Sequence, residues 1–246
     1  PANQGLQYSL EFSATSTLTY AYASQRIESA NCQDLVSSQV TLSFWALNVT
    51  GPANFYVEFQ TANSIDNFSS TTQLAALAGG YFAIPALGVW NRYVVTVPAS
   101  AMVASIANGL EIRFVRDNTG VSTTRITGVQ LEAGPVATPF ERLPLGQILQ
   151  LCQRYFEISG YTGIASTTFS GNVSNGSIYY AQGKFQVAKR TNNVIITNTH
   201  QGGSGFPSSA STANNYDAYG FSNYRTANNT VNGGYFQDSW TASAEV

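Results

Sequence analysis

Through the first half of the chain, apolar and polar residues alternate in short runs. The segments 8–12, 18–22, 40–47, 55–60, 90–97, 110–115 and 124–131 follow this two-residue period and are rich in β-branched and aromatic residues. Successive side chains of a strand point to opposite faces, so the period predicts strands with one face on a core. Val40, Leu42, Phe44 and Ala46 are expected inward, with Thr41, Ser43, Trp45 and Leu47 outward. By the same reading Phe55, Val57 and Phe59 oppose Tyr56 and Glu58, and Tyr93, Val95 and Val97 oppose Trp90, Arg92, Val94 and Thr96. The segment 117–120 (DNTG) reads as a turn. Residues 72–80 predict one helical turn ended by glycine. Short strands without a long helix predict an all-β fold, a two-sheet sandwich of which the jelly roll is one form.

The pattern changes after Leu131. Residues 133–144 contain Gly134, Pro135, Pro139 and Pro144. Each proline lacks an amide donor and drives its predecessor towards extended backbone, so this segment predicts a connector. Beyond it Leu145, Ile148, Leu149, Cys152, Tyr155 and Phe156 recur at spacings of three and four, which predicts a short helix with one apolar face. Further on, 177–187, 193–199, 216–221, 231–236 and 239–246 read as less regular strands around a Gly/Ser/Ala/Asn tract at 201–215. A tract of that length without an apolar period predicts a functional or mobile loop. The expected organisation is an N-terminal β-sandwich at 1–138, a connector and short helix at 139–157, and a C-terminal β-sandwich-like domain at 158–246.

The boundary sequence also carries a resemblance. GVQLE at 128–132, a small-residue and proline spacer, ATPFE at 137–141 and a helix carrying LCQRYFE at 151–157 resemble the module boundary of bacteriophage tail fibres and related receptor-binding proteins. SQRIE at 24–28, VTLSFWA at 40–46 and WNRYVVTVPA at 90–99 resemble strands of the jelly roll that precedes that boundary. The resemblance implies a carbohydrate-binding-module-like jelly roll, a distal β domain with host-facing loops, and a homotrimer whose helices meet around the axis. It implies a virion protein that contacts other virion proteins and a host-surface glycan such as lipopolysaccharide or capsule. A structural decoration or spacer protein is the alternative, and a polysaccharide-degrading tailspike a third reading. Jelly rolls of this type often carry a structural Ca²⁺, whose ligands no pattern here identifies; no other cofactor is expected.

Composition narrows the picture. Only 10% of residues are charged, against roughly 25% in an average soluble domain. The polar surface is therefore built from Ser, Thr, Asn and Gln, which suits an assembled or extracellular protein. Net charge is −2 and the two Lys and nine Arg are scattered singly, whereas nucleic-acid binding needs clustered cations. No apolar run approaches the ~18 residues that would predict a membrane span, and no signal-peptide pattern opens the chain. Pro1 in first place leads to the expectation of sequence upstream that was removed or is missing. For Cys32 and Cys152 a disulfide between the two segments and a pair of buried free thiols both remain open, with the thiols favoured. Five Asn-x-Ser/Thr triplets, at Asn48, Asn67, Asn172, Asn175 and Asn228, are expected by chance in so Asn- and Ser-rich a chain, and matter only in a secretory pathway.

Catalytic patterns are sparse. His200 is the sole histidine; GGSGF at 202–206 lacks the last glycine of a nucleophile elbow and the Lys-Ser/Thr of a phosphate loop. The thirteen acidic residues form no pair recognisable from sequence, so the chain is not expected to be an enzyme, and one His with two distant Cys does not suit a transition metal. Sugar binding asks for less: an aromatic face for the ring and amide, carboxylate or guanidinium groups for the hydroxyls. The candidates are Trp45, Tyr56, Trp90 and Arg92 in the first domain, and Tyr216, Asp217, Tyr219, Tyr224, Arg225, Tyr235 and Trp240 near the C-terminal loops. The competing role for each is half-buried core or interface packing.

Overall fold

The computed structural model describes residues 6, 8–14, 16, 20–50, 54–74, 82–83, 88–117, 121–159 and 167–244. The fold is all-β, with several antiparallel sheets and one short α-helix. The chain divides into two units, one ending at Glu141 and the other spanning Arg142–Glu245. The helix thus falls inside the second unit.

In the first unit the strands are β1 (Leu10–Ala14), β2 (Ala21–Ile27), β3 (Val40–Thr50), β4 (Asn54–Ser64), β5 (Asn67–Gln73), β6 (Phe82–Ala83), β7 (Asn91–Val97), β8 (Leu110–Asp117) and β9 (Ser122–Ala133). One sheet runs β1-β9-β3-β7; the other runs β2-β8-β4-β5, with β6 also on β4. The alternation dictates the packing. Val40, Leu42 and Phe44 of β3 and Val97 of β7 share one buried core with Val57 and Phe59 of β4 and Ile112 and Phe114 of β8. Phe44 meets Phe114 edge-on at 5.3 Å, joining the two sheets. Burying a side chain of this size contributes roughly 1.5–3 kcal/mol. Tyr93, Val95 and Val97 face inward and Arg92, Val94 and Thr96 face out, as their alternation demands.

Two local features depart from expectation. Residues 72–73 belong to β5, where they pair with Thr61 and Gln60 of β4; the rest of the expected helical turn lies mostly outside the described residues. Residues 117–120 also lie largely outside them. β9 carries a bulge where the pairing passes from Ser43↔Gln130 to Trp45↔Thr127. Gly128 stands there at φ +59°, and a Cβ on it would fall 2.9 Å from Leu6 Cδ1 and 3.2 Å from Trp45 Cδ1.

Residues 138–141 are fastened to the first unit instead of hanging free. Arg92 donates to the Thr138 carbonyl, Glu132 accepts from the Thr138 amide at 3.0 Å, and Gln130 accepts from the Glu141 amide at 2.6 Å.

The second unit begins with α1 (Leu145–Gln153), followed by β10 (Phe156–Ile158), β11 (Thr167–Val173), β12 (Ile178–Lys184), β13 (Ile195–Ser204), β14 (Thr212–Asn214), β15 (Gly220–Thr226) and β16 (Val231–Ser243). β16 is the central element. Its residues 241–243 pair with both β10 and β13, and residues 235–238 with both β11 and β13, so β13 takes one edge and β10 with β11 the other. The second sheet runs β12-β15-β14. Inward residues form two apolar clusters, one around Phe169, Phe206 and Phe236, the other around Phe185, Phe221 and Trp240. Thr167, Asn223, Arg225 and Asp238 lie buried along the same strands.

The tract at 201–215 is more ordered than its composition suggests: β13 runs through it to Ser204 and β14 takes three more residues. The expected strands 231–236 and 239–246 are one strand, β16, and the strand expected at 216–221 starts only at Gly220. Phe156, counted on the helical face, belongs to β10. No residue of α1 is buried. The two thiols are both free, but only Cys32 is buried; Cys152 lies on the exposed helix.

Candidate functional site

The outer face of the β2-β8-β4-β5 sheet gathers a dense set of polar and aromatic groups. Alternation places Tyr22, Ser24 and Arg26 of β2, Glu111 and Arg113 of β8, and Tyr56, Glu58 and Gln60 of β4 opposite the core residues. Register then sets them side by side, with Arg26 beside Glu111, Ser24 and Glu58 beside Arg113, and Glu111 beside Gln60.

Glu111 is the keystone. Although its side chain belongs to the outward set, it is fully buried beneath two guanidinium groups. Arg26 Nε donates to Oε1 at 3.3 Å, and Arg113 donates to Oε2 through Nη2 at 2.7 Å and Nε at 3.0 Å. Burial pushes the Glu111 carboxyl up, but hydrogen bonds from Arg113, Ser24 and Arg26 and the charge of Arg113 outweigh it and hold the group below its ordinary value. Burial works against the Arg113 charge too, and Glu111 more than offsets it, raising the guanidinium above its ordinary value.

The aromatic part is equally fixed. The Arg113 guanidinium lies over the Tyr22 ring at 4.8 Å, and Tyr20 packs beside Tyr22 at 5.5 Å. Tyr20 Oη donates to Glu58 Oε2 at 3.0 Å, and Gln60 Nε2 donates to the same oxygen at 3.0 Å. Burial first, then the Glu58 carboxylate, raises the Tyr20 phenol, which stays a protonated donor. Thr71 Oγ1 links the ends of the array, donating to Gln60 Oε1 at 3.0 Å and accepting from Arg113 Nη2 at 3.1 Å. Tyr20 and Tyr22 remain exposed on this surface. Such an array offers ring faces for stacking and oriented donors and acceptors for hydroxyl or acidic groups.

Of the sequence candidates in this unit, Tyr56 lies on this face, half-buried and opposite Val115. Trp45 and Arg92 are brought together on the other sheet, where they are register partners. There Arg92 is engaged by Ser43 Oγ and the Thr138 carbonyl, which makes it a clamp on residues 138–141. Trp45 and Trp90 are half-buried.

In the second unit the candidates scatter. Arg225 and Trp240 are 4% and 5% exposed, so neither can stack on or bond a ligand at the surface. Arg225 instead donates to Asp238 Oδ1 at 2.7 Å, to His200 Nδ1 at 2.8 Å and to the Pro207 carbonyl at 2.8 Å. Burial lowers the Arg225 guanidinium in spite of Asp238. Trp240 fills the second apolar cluster against Phe185 and Phe221. Asp217 caps its own turn by accepting from the amides of Tyr219 and Gly220, at 2.7 and 3.0 Å. Tyr216 and Tyr219 are exposed on that turn, and Tyr235 is exposed on the β16 sheet.

Tyr224 does join a surface that sequence reasoning missed. It pairs across strands with Tyr180, ring centroids 6.0 Å apart, on the outer face of the β12-β15-β14 sheet. The next outward row is Gln182, Ser222 and Asn214. Only the period-two alternation of 178–184 hinted at Tyr180; its neighbours came from register.

Among the described residues no group of three or more His, Cys, Asp and Glu is gathered to hold a metal ion, and no helix is long and apolar enough to cross a membrane. Neither models of known protein families nor the curated proteins include a match to this chain.

Proposed function

We propose that this chain is an attachment protein of a virion, a jelly-roll module followed by a second β unit, which recognises a host-surface glycan such as lipopolysaccharide or capsule. The observation that carries the reading is the outer face of the β2-β8-β4-β5 sheet. Exposed Tyr20 and Tyr22 stand there beside guanidinium and amide groups whose positions are set by buried Glu111 and Glu58. Preorganised donors next to exposed rings suit saccharide recognition, because little side-chain entropy is lost on binding. The Tyr180–Tyr224 pair offers a further surface of the same kind. At this face a retaining or inverting glycosidase would need both carboxyls open to the sugar, whereas Glu111 is covered by two guanidinium groups.

A second reading, a structural component of the particle, is favoured by one observation. Leu145, Ile148, Leu149 and Leu151 of α1 are all exposed, and an apolar helical face that no described residue covers calls for a partner. We propose that sister chains cover it in a homotrimer, which is compatible with attachment. The test is binding of the purified full chain to host cells and to an oligosaccharide array, with Tyr22→Ala and Tyr180→Ala beside the wild type. Saturable binding weakened by either substitution in a folded chain supports attachment. A stable oligomer that binds no glycan and no cell favours the structural reading.

A further inference from the structure

We infer that the outer face of the β2-β8-β4-β5 sheet takes an anionic saccharide, with its acidic group on the Arg26–Arg113 pair and its ring on Tyr22. This inference rests on the glycan-attachment reading and narrows its ligand class.

The vertical order of charges is the reason. Both guanidinium groups are anchored from beneath by one carboxylate, Glu111, whose side chain is wholly buried, while the side chain of Arg26 above it is 40% exposed. Two cations share one carboxylate in that triad, and Glu58, the register partner of Arg113, balances the charge on that side, which leaves Arg26 as the cation open to an anion. Arg26 spends Nε on Glu111, and its two Nη groups have no hydrogen-bond partner among the described residues. Arg113 spends Nε and Nη2 on Glu111 and Thr71, and its plane is set by the Tyr22 ring. Glu58, the other acid of the array, is only 7% exposed and accepts from Tyr20 and Gln60, so it is turned away from the role of counter-ion to Arg26.

A buried carboxylate that fixes the pose of partly exposed arginines lowers the entropy lost when they bind a carboxylate or phosphate, which a guanidinium can grip with two parallel bonds. A neutral sugar would leave that fork without a charged partner. Uronate, sialate and phosphate groups share this chemistry, and the array of ligands can separate them.

The experiment uses the full chain on printed oligosaccharides in matched pairs: uronate-bearing with its methyl ester, sialylated with its asialo form, phosphorylated with its dephosphorylated form. Affinities for the bound members follow from calorimetry at about 0.05 and 0.5 M NaCl. The expected result is binding confined to acidic members, weakened by salt, reduced about tenfold by Arg26→Gln and partly restored by Arg26→Lys. Arg26 is partly exposed, so both variants should fold, and circular dichroism checks that they do. If neutral and acidic members bind equally, or if Arg26→Gln binds like the wild type while Tyr180→Ala does not, the anionic assignment fails and glycan attachment stands. Should no oligosaccharide of either kind bind, both fail.

Discussion

Lys189 Nζ lies 2.6 Å from Glu157 Oε2, with side-chain exposures of 0% and 4%. The ammonium also donates to the Gln153 carbonyl at the end of α1 and sits 4.7 Å from the Phe185 ring centroid. Glu157 in turn accepts from the Gln186 amide. This pair therefore ties the LCQRYFE segment to residues 185–189. Removing one partner strands a buried charge, so Lys189→Met is expected to cost about 3–5 kcal/mol. Urea titration of the full chain checks it: the cost should appear in the transition of the second unit, while that of the first keeps its midpoint.

Acid should loosen the first unit through Glu111. Its folded carboxyl is held below the ordinary value, so its contribution is present above the unfolded pKa, ~4.3, and lost as pH falls through the lowered folded value. Glu111→Gln should lower the melting temperature at pH 7 and flatten its fall below about pH 4. Removing the carboxylate is expected to cost about 2 kcal/mol, less than for a pair buried on both sides, because Arg26 and Arg113 retain some solvent. Melting curves of both proteins from pH 7 to 3 decide it; parallel curves would contradict the role given to Glu111.

The two thiols should differ sharply in reactivity. Burial pushes the Cys32 thiol up to about 11, and it is shielded within the core. Cys152 is exposed. Iodoacetamide at pH 8 is expected to label Cys152 alone, and Cys32 only after denaturant is added. Mass spectrometry of the labelled peptides reads the outcome.

Close packing makes Gly183 a sensitive position. A Cβ there would overlap two atoms of the Phe221 ring, which is itself packed on Trp240. Gly183→Ala is expected to destabilise the second unit by about 1–3 kcal/mol through overpacking. Gly176→Ala, where a Cβ meets nothing within 4 Å, serves as a comparison that carries only the strain of its positive φ. A smaller loss for Gly183→Ala than for Gly176→Ala would show that the Phe221 ring yields freely.

Assembly through α1 predicts a charge-sensitive oligomer. Leu149→Glu places a carboxylate on the exposed apolar face without disturbing anything buried in the chain. The mass measured by light scattering should fall from that of a trimer to that of one chain, with circular dichroism unchanged. A single-chain mass for the wild type would count against the proposed homotrimer.

The β class was readable because burying one face of a strand imposes a period of two, visible at 40–47, 90–97 and 110–115. The charge-poor composition and the connector prolines were legible for similarly local reasons. Composition misled at 201–215, since ladder bonds from β16 and β15 hold residues of weak strand propensity in place. The candidate array was hidden for another reason. Tyr22, Glu58 and Arg113 are far apart in sequence, and each alone looks like an ordinary outward residue of a strand.

Sequence by itself determined which residues of strands such as 40–47 and 90–97 point to the core, because alternation depends only on backbone geometry, although Thr41, Ser43 and Leu47 on the opposite face of the first are buried as well. It also determined where regular strands must stop, since proline removes the donor that a ladder requires. Only the tertiary structure decided which strands are neighbours, and with them that Glu111 lies beneath Arg26 and Arg113, that Tyr180 meets Tyr224, and that Arg225 and Trp240 are interior. Strand order and register are set by long-range packing of two faces against each other, and no local period encodes them.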